Sequence, residues 1–247
     1  MKLTCAVCGC EQYHDIKVLW KELISEWELS PEEIIYINRQ QGTLCDKCNG
    51  SLRINALAIS ICEHLRSSKI LKDISYNSKY KHLKILDING SSSVSEVLSI
   101  MPNYIRADYP DVDMQKIPYD DNSFDLIIHS DTLEHIPDPV LALAECLRVI
   151  NEQGAVCFTI PIVVGRLSKS REGLPKSFHG TPDINSDDFV VQTEFGADFW
   201  TYAFRAGATS VILNSAEYPS AQAIRIQKKH TALPSKGSFL RMLGFHR

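Results

Sequence analysis

The sequence has no run approaching eighteen uninterrupted apolar residues, which argues against a membrane-spanning helix. Its opening stretch, "MKLTCAVCGC", lacks the apolar core of a secretory leader, so a cytoplasmic, reducing location is expected. It has no excess of positive charge. With 26 Lys and Arg against 30 Asp and Glu, the net charge is -4, and no global field would hold a nucleic acid or an anionic membrane. Nucleic acid is therefore not expected as a partner. There are no internal repeats and no low-complexity tract. The loop after the first strong strand, in "KILDINGSSSVSEVL" (residues 84–98), has one glycine, Gly90, where phosphate-type loops usually have two or three. The absence of G-x-G-x-x-G there excludes a nicotinamide-dependent dehydrogenase of the usual kind.

What the chain does have is cysteine, unevenly placed. Cys5, Cys8, Cys10, Cys45 and Cys48 fall in the first fifth, while Cys62, Cys146 and Cys157 sit singly in apolar surroundings. The first group contains "CAVC" and "CDKC". Two such pairs suit tetrahedral Zn(II), each knuckle supplying two thiolates. Cys5, Cys8, Cys45 and Cys48 are thus the expected ligands of a structural Zn2+. Four thiolates leave no open position for catalysis. Cys10 could replace Cys8, His14 could compete, and two redox-active dithiols are the alternative reading. Between the knuckles, "VLWKELISEWELS" reads as an amphipathic helix with Val18, Leu19, Leu23 and Trp27 on one side. In "SPEEIIYI", Ser30 is the N-cap, Pro31 opens the helix and Glu33 closes a capping box. A further helix, "SLRINALAISICEHL", follows the second knuckle. Residues 1–66 are read as a zinc-stapled helical module.

From residue 84 strands and helices alternate: "KILDI", "SVSEVLSI", "NYIRADY", "FDLIIHSD", "DPVLALAECLRVI", "AVCFTIPI", then a helix in "EFGADFWTYAFRAGA" and strands "TSVILNSA" and "QAIRIQKK". The turn "NEQG" joins the long helix to the strand after it. This order predicts an α/β domain over residues 67–230, a doubly wound, mostly parallel sheet that binds ligands at the carboxyl ends of its strands. Acids recur at those ends: Asp87, Asp108 and Asp131, with Asp113 nearby. A long polar insert, residues 161–194, is expected to lie over the site as a lid. Its basic half (Arg166, Lys169, Arg171, Lys176) could receive an anionic substrate such as a phosphate-bearing sugar or nucleotide. His179, Asp183, Asp187 and Asp188 follow. The basic stretch 231–247 reads as a solvated tail.

The segment "IPYDDNSFDLIIHSDTLEHIPDPVLALAECLRVI" resembles the class I S-adenosylmethionine-dependent methyltransferases, whose pattern is "LPFxDxSFDxVxxxxxLEHxxDPxxALxExxRVLxPGG". The resemblance implies a Rossmann-like fold and S-adenosyl-L-methionine as cofactor. It places Asp87, Ile88, Asn89, Gly90 and Ser91 in the loop beneath the methionine part and Asp108 at the ribose. Asp113 and Met114 fall near the adenine, and Ser130 and Asp131 face the sulfonium. Glu134 and His135, in the "LEH" turn, would support the site. The chain departs from the pattern where Asn89, Ser91 and Ser93 replace three expected glycines. The helix after the second strand is also nearly absent.

Methyl transfer to a hydroxyl or amine calls for a base. The candidates are His179, then Asp131, then His129. The expected activity is methylation of a small-molecule or glycan-precursor acceptor. The alternative is a degenerate methyltransferase fold that uses its zinc module to dock a protein or RNA partner.

Overall fold

The computed structural model describes residues 3–178 and 189–228. In chain order the elements are β1 (Tyr13–Asp15), α1 (Lys21–Glu26), α2 (Pro31–Gly42), β2 (Thr43–Cys45), α3 (Leu52–His64), α4 (Leu71–Tyr76), β3 (Ile85–Ile88), α5 (Ser93–Leu98), β4 (Tyr104–Ala107), β5 (Phe124–Ser130), α6 (Pro139–Val149), β6 (Ile150–Thr159), β7 (Ile162–Val163), β8 (Lys169–Ser170), β9 (Thr193–Gly196), α7 (Trp200–Arg205), β10 (Ser210–Glu217) and β11 (Ala221–Gln227).

The six-stranded sheet has the order β10-β11-β6-β5-β3-β4. β4, β3, β5 and β6 are parallel, and β11 runs antiparallel to both β6 and β10. Side chains alternate between faces along each strand, so each central strand feeds two cores. Ile85, Leu126 and Cys157 join one core, under α3, α4 and α5. Leu86, Ile127 and Val156 join the other, under α6 and α7. Both faces are therefore covered, as the strand–helix alternation predicts. Ile88 is level with both Ala107 and His129, and Ser130 with Thr159. This register brings the carboxyl ends of β3, β4, β5 and β6 to one rim.

The N-terminal residues share the first core. Cys5, Val7 and Cys45 lie in one cluster with Leu52, Leu57 and Ile61 of α3 and with Ile85 and Leu126 of the sheet. The Arg225 guanidinium, on β11, donates to the Ser60 carbonyl of α3 at 3.2 Å. Packing is continuous across residue 66, the boundary expected from sequence.

Side-chain caps explain the starts of the three longest helices, α2, α3 and α6. Ser30 and Glu33 form the reciprocal capping box of α2. Asp138 caps α6 by accepting from the Val140 and Leu141 amides, each at 3.0 Å. Other expectations are corrected. The first helix covers only Lys21–Glu26. β6 already begins at Ile150 and includes the expected "NEQG" turn. The insert at 161–194 is not a bare loop: β7, β9 and β8 form a small sheet. The segment "TEFG" is strand β9 rather than helix, because Phe195 pairs with Ile162 and is buried beside it. The helix starts later, at Trp200. No helix separates β4 from β5, as expected, and no strand does either; β4 pairs with β3 alone and is the sheet's edge. Among the described residues, no helix is long and apolar enough to cross a membrane.

Candidate functional site

The loop from β3 to α5 is built on a buried carboxylate. Asp87 is fully buried and accepts from Ser91 Oγ at 3.0 Å, from the Tyr104 hydroxyl at 2.6 Å and from Ser95 Oγ. Burial pushes its pKa up, and the three hydroxyl donors oppose that shift. Ser95 Oγ also accepts from the Ser91 amide, which ties the loop to the first turn of α5. The backbone is left-handed at Asn89 (φ 58°), Gly90 (φ 74°) and Ser92 (φ 51°). The positions that call for glycine are thus 89, 90 and 92. Ser91 and Ser93, expected to stand in for glycines, have negative φ. Asn89 tolerates its conformation and accepts from the Tyr109 amide through Oδ1 at 2.8 Å. A side chain at Gly90 would meet the Arg106 guanidinium, which lies across the turn 2.8 Å from the Cβ position. Arg106 Nε in turn contacts both carboxylate oxygens of Asp108 at 2.9 Å.

Above this loop lies a cavity of about 540 Å³ at the carboxyl ends of the strands. Asn89, Asp108, Asp113 and Met114 form one wall, and Ser130, Asp131 and Thr132 form another. His135, Phe189 and Gln192 come from the "LEH" turn and the strand region that follows residue 188. Six of the sequence-predicted residues therefore meet here: Asn89, Asp108, Asp113, Met114, Ser130 and Asp131. Asp87, Ile88 and Ser91 are buried beneath the cavity, and Gly90 lies under Arg106. His129 does not reach it. Its ring is fully buried and stacks on Phe158, centroids 4.7 Å apart, and burial pushes its pKa down to about 3. His179 lies outside the described residues, as do Asp183, Asp187, Asp188 and the tail 231–247.

One functional candidate was not picked out from the sequence, and another was given only a supporting role. Arg53, on α3, pairs with Asp131 although its side chain is only 7 % exposed. Its Nε and Nη1 groups are buried without a hydrogen-bond partner. Asp131 is itself left-handed (φ 51°), and burial pushes its pKa up against the pull of Arg53. A single arginine in the apolar run "INALAISI" and its lead-in "SLR" was the available signal. The second candidate is His135. Its Nδ1 lies 3.1 Å from the Val190 carbonyl, and a carbonyl only accepts, so Nδ1 bears the proton and Nε2 its lone pair. Burial lowers its pKa, which keeps the ring neutral. Beside it Glu134 is buried and raised well above the usual carboxylate range, by desolvation first and by Asp131 second.

The basic half of the insert has other work. Arg166 grips Glu33 at 2.8 and 2.7 Å and donates to the Trp27 and Glu28 carbonyls. Arg171 pairs with Glu194 and with Glu26. Trp27 Nε1 donates to Ser177 Oγ at 2.9 Å. These contacts fasten the small sheet to α1 and α2, so Arg166 and Arg171 are not presented to an anionic substrate.

Cys5, Cys8, Cys45 and Cys48 are brought together, with all four Sγ atoms within 4.8 Å of one another. Cys5–Cys48 and Cys8–Cys45 are each 3.6 Å apart. Zn–S bonds of about 2.3 Å in a tetrahedron require S–S distances of about 3.8 Å, so the set fits that ion. Cys10 is directed to Gln12 and His14 to Asp46, outside the set.

The architecture is the α/β methyltransferase fold with its central, mostly parallel sheet. Residues 80–158 match the methyltransferase domain family. No curated protein sequence matches the chain. Among solved structures it is similar to the [4+2]-cyclase SpnF (14 % identity, 54 % of this chain and 54 % of that one, TM-score 0.34). It is also similar to the CMeT domain of the citrinin polyketide synthase (13 %, 81 % and 58 %, TM-score 0.45). A third is the trans-methyltransferase CalH in complex with SAH (14 %, 82 % and 60 %, TM-score 0.41). The chain thus spans 54 % and 58 % of the first two structures' own length.

Proposed function

We propose that the chain is an S-adenosylmethionine-dependent methyltransferase acting on a hydroxyl or amine of a small molecule. The observation that supports this most directly is the convergence of Asn89, Asp108, Asp113, Met114, Ser130 and Asp131 on one cavity at the strand ends. Its volume lies within the range of small-molecule sites. The family match over residues 80–158 supports the choice of cofactor.

When bound, the cofactor supplies a methyl group already activated by a sulfonium. In this reading Asp108 accepts the ribose hydroxyls, sharing its carboxylate with Arg106. Met114 and Asp113 flank the base. Arg53, with two buried nitrogens, Nε and Nη1, to satisfy, holds Asp131 in place below the reacting centre. The remaining task is orientation of the acceptor and removal of its proton. His135 is suited to the second task, because the Val190 carbonyl pins the tautomer with its lone pair on Nε2. His179 and Asp131 stay with it as candidate bases. Phe189 and Ile136 supply apolar surface for the acceptor. With Arg166 and Arg171 engaged elsewhere, an uncharged acceptor suits this cavity better than a phosphorylated glycan precursor. Cys5, Cys8, Cys45 and Cys48 hold a structural Zn2+ in this proposal.

Calorimetric titration of zinc-loaded protein with S-adenosylhomocysteine tests the reading. Micromolar binding that is lost in Asp108→Ala is expected. Absence of binding to folded wild-type protein would sink it.

A further inference from the structure

The second cysteine knuckle touches the cofactor loop. A Cβ built on Gly50 would lie 2.5 Å from Ser93 Oγ, 3.1 Å from Ile54 Cγ2 and 3.5 Å from Cys48 Sγ. Gly50 therefore seats its backbone directly on Ser93, the first residue of α5, which is itself 1 % exposed. A side chain at this position would displace the Ser93 hydroxyl and crowd Ile54. The Gly50 carbonyl accepts from the Cys45 amide at 3.0 Å, which locks Gly50 to the knuckle. The next residue, Ser51, caps α3, and two residues further along Arg53 pairs with Asp131 at the end of β5. A stretch of nine residues, 45–53, thus includes two of the four thiols, presses on the start of α5, where the loop beneath the cavity ends, and grips Asp131 in the cavity's lining.

We propose that residues 45–53 position the cofactor cavity, so that metal held by the four cysteines and cofactor held in the cavity each strengthen the other's binding. The proposal rests on the reading of that cavity as the S-adenosylmethionine site. A knuckle closed on metal fixes the seat under Ser93 and the direction of α3. An open knuckle releases both, along with the left-handed loop at 89–92 and the Arg53–Asp131 pair. Coupling between two sites is reciprocal, so cofactor must tighten metal as much as metal tightens cofactor.

The decisive experiment uses wild-type protein. Zinc is competed away with a chromogenic chelator, with and without saturating S-adenosylhomocysteine, while calorimetry on the same sample records binding of that ligand. An apparent zinc affinity raised about ten-fold by the ligand is expected, within the usual range of coupled sites. An unchanged zinc affinity despite measured ligand binding would overturn the coupling. Failure of the zinc-loaded wild type to bind S-adenosylhomocysteine would instead overturn the cofactor reading, and the coupling with it. A second test needs no chelator. Gly50→Ala should keep one zinc per chain yet bind the ligand about ten-fold more weakly. Adding Ser93→Ala removes the oxygen that the new methyl meets and should restore affinity. Gly50→Ala with bound zinc and unaltered ligand affinity would refute the positioning role. If Gly50→Ala does not fold, the wild-type competition decides.

Discussion

The guanidinium of Arg53 pairs with the carboxylate of Asp131, joining α3 to the end of β5 across 78 residues of sequence. Arg53 is nearly buried and Asp131 faces the cavity. Removing one member of such a pair leaves an uncompensated charge in a poor solvent. Asp131→Asn is therefore expected to destabilise the fold by about 2–3 kcal/mol, below the full buried-pair value because Asp131 is part-exposed. Urea unfolding measures it. The double variant Arg53→Met/Asp131→Asn should recover much of the loss; a strictly additive result would show that the pair is not coupled.

Ser92 adopts φ 51° and ψ -132° with no side-chain capping hydrogen bond. This region is costly for an L-residue and ordinary for glycine. Ser92→Gly should stabilise the protein by about 1 kcal/mol, read as a raised thermal midpoint. Gly90→Ala should have the opposite sign, because its Cβ collides with Arg106.

None of the eight cysteines is in a disulfide, and they fall into three kinds. Four form the cluster. Cys62, Cys146 and Cys157 are buried, and burial raises the pKa of each. Cys10 is partly exposed and outside the cluster. A thiol reagent should label one cysteine quickly in zinc-loaded protein and five after chelation, since the thiolate is the reactive form and metal withholds it. Five fast thiols before chelation would show that the cluster holds no metal.

Arg166 draws the Glu33 carboxyl from its ordinary 4.5 down to about 2. Between those values the unfolded chain binds more protons than the folded one. The stabilisation is present in full above about pH 4.5 and is lost as pH falls through about 2. It should be about 2 kcal/mol after allowing for the solvent around Arg166. Glu33→Gln is expected to flatten the stability profile over this window, and an unaltered slope would contradict the assignment.

His129 moves stability in the same direction by another route. It is neutral and buried, so the unfolded state takes up its proton first. Stability should decline as pH falls from 6.5 towards about 3. His129→Phe should remove that slope while leaving S-adenosylhomocysteine binding intact. Loss of binding would return His129 to the site.

Much of this was legible in sequence because it rests on local chemistry. Apolar strands ending in Asp87, Asp108 and Asp131 mark the rim, and Ser30, Glu33 and Asp138 mark helix starts. Two CxxC pairs mark the cluster. What was hidden depends on partners far along the chain. Arg53 means little without Asp131, and His135 acquires a fixed tautomer only from Val190. Phe195 sits in a helical-looking phrase until Ile162 pairs with it as a strand. Of the residues that need a left-handed backbone, Asn89 was placed correctly and the other two were each misplaced by one position, at 91 and 93 instead of 90 and 92. Serine hydroxyls gathering on Asp87, rather than glycine spacing, set the path of the loop.

The burial of α3 against β11 has a consequence for how the chain is made. The helix ends at His64, but one of the strands that shield it, β11, starts only at Ala221. Until β11 has been made, the apolar face of α3 has no complete cover, and the Arg225–Ser60 contact joins residues 165 apart. Long-range closures of this kind slow folding and leave apolar surface open to aggregation. A metal ion captured early by the two cysteine knuckles would hold residues 5–48 together until β10 and β11 emerge from the ribosome.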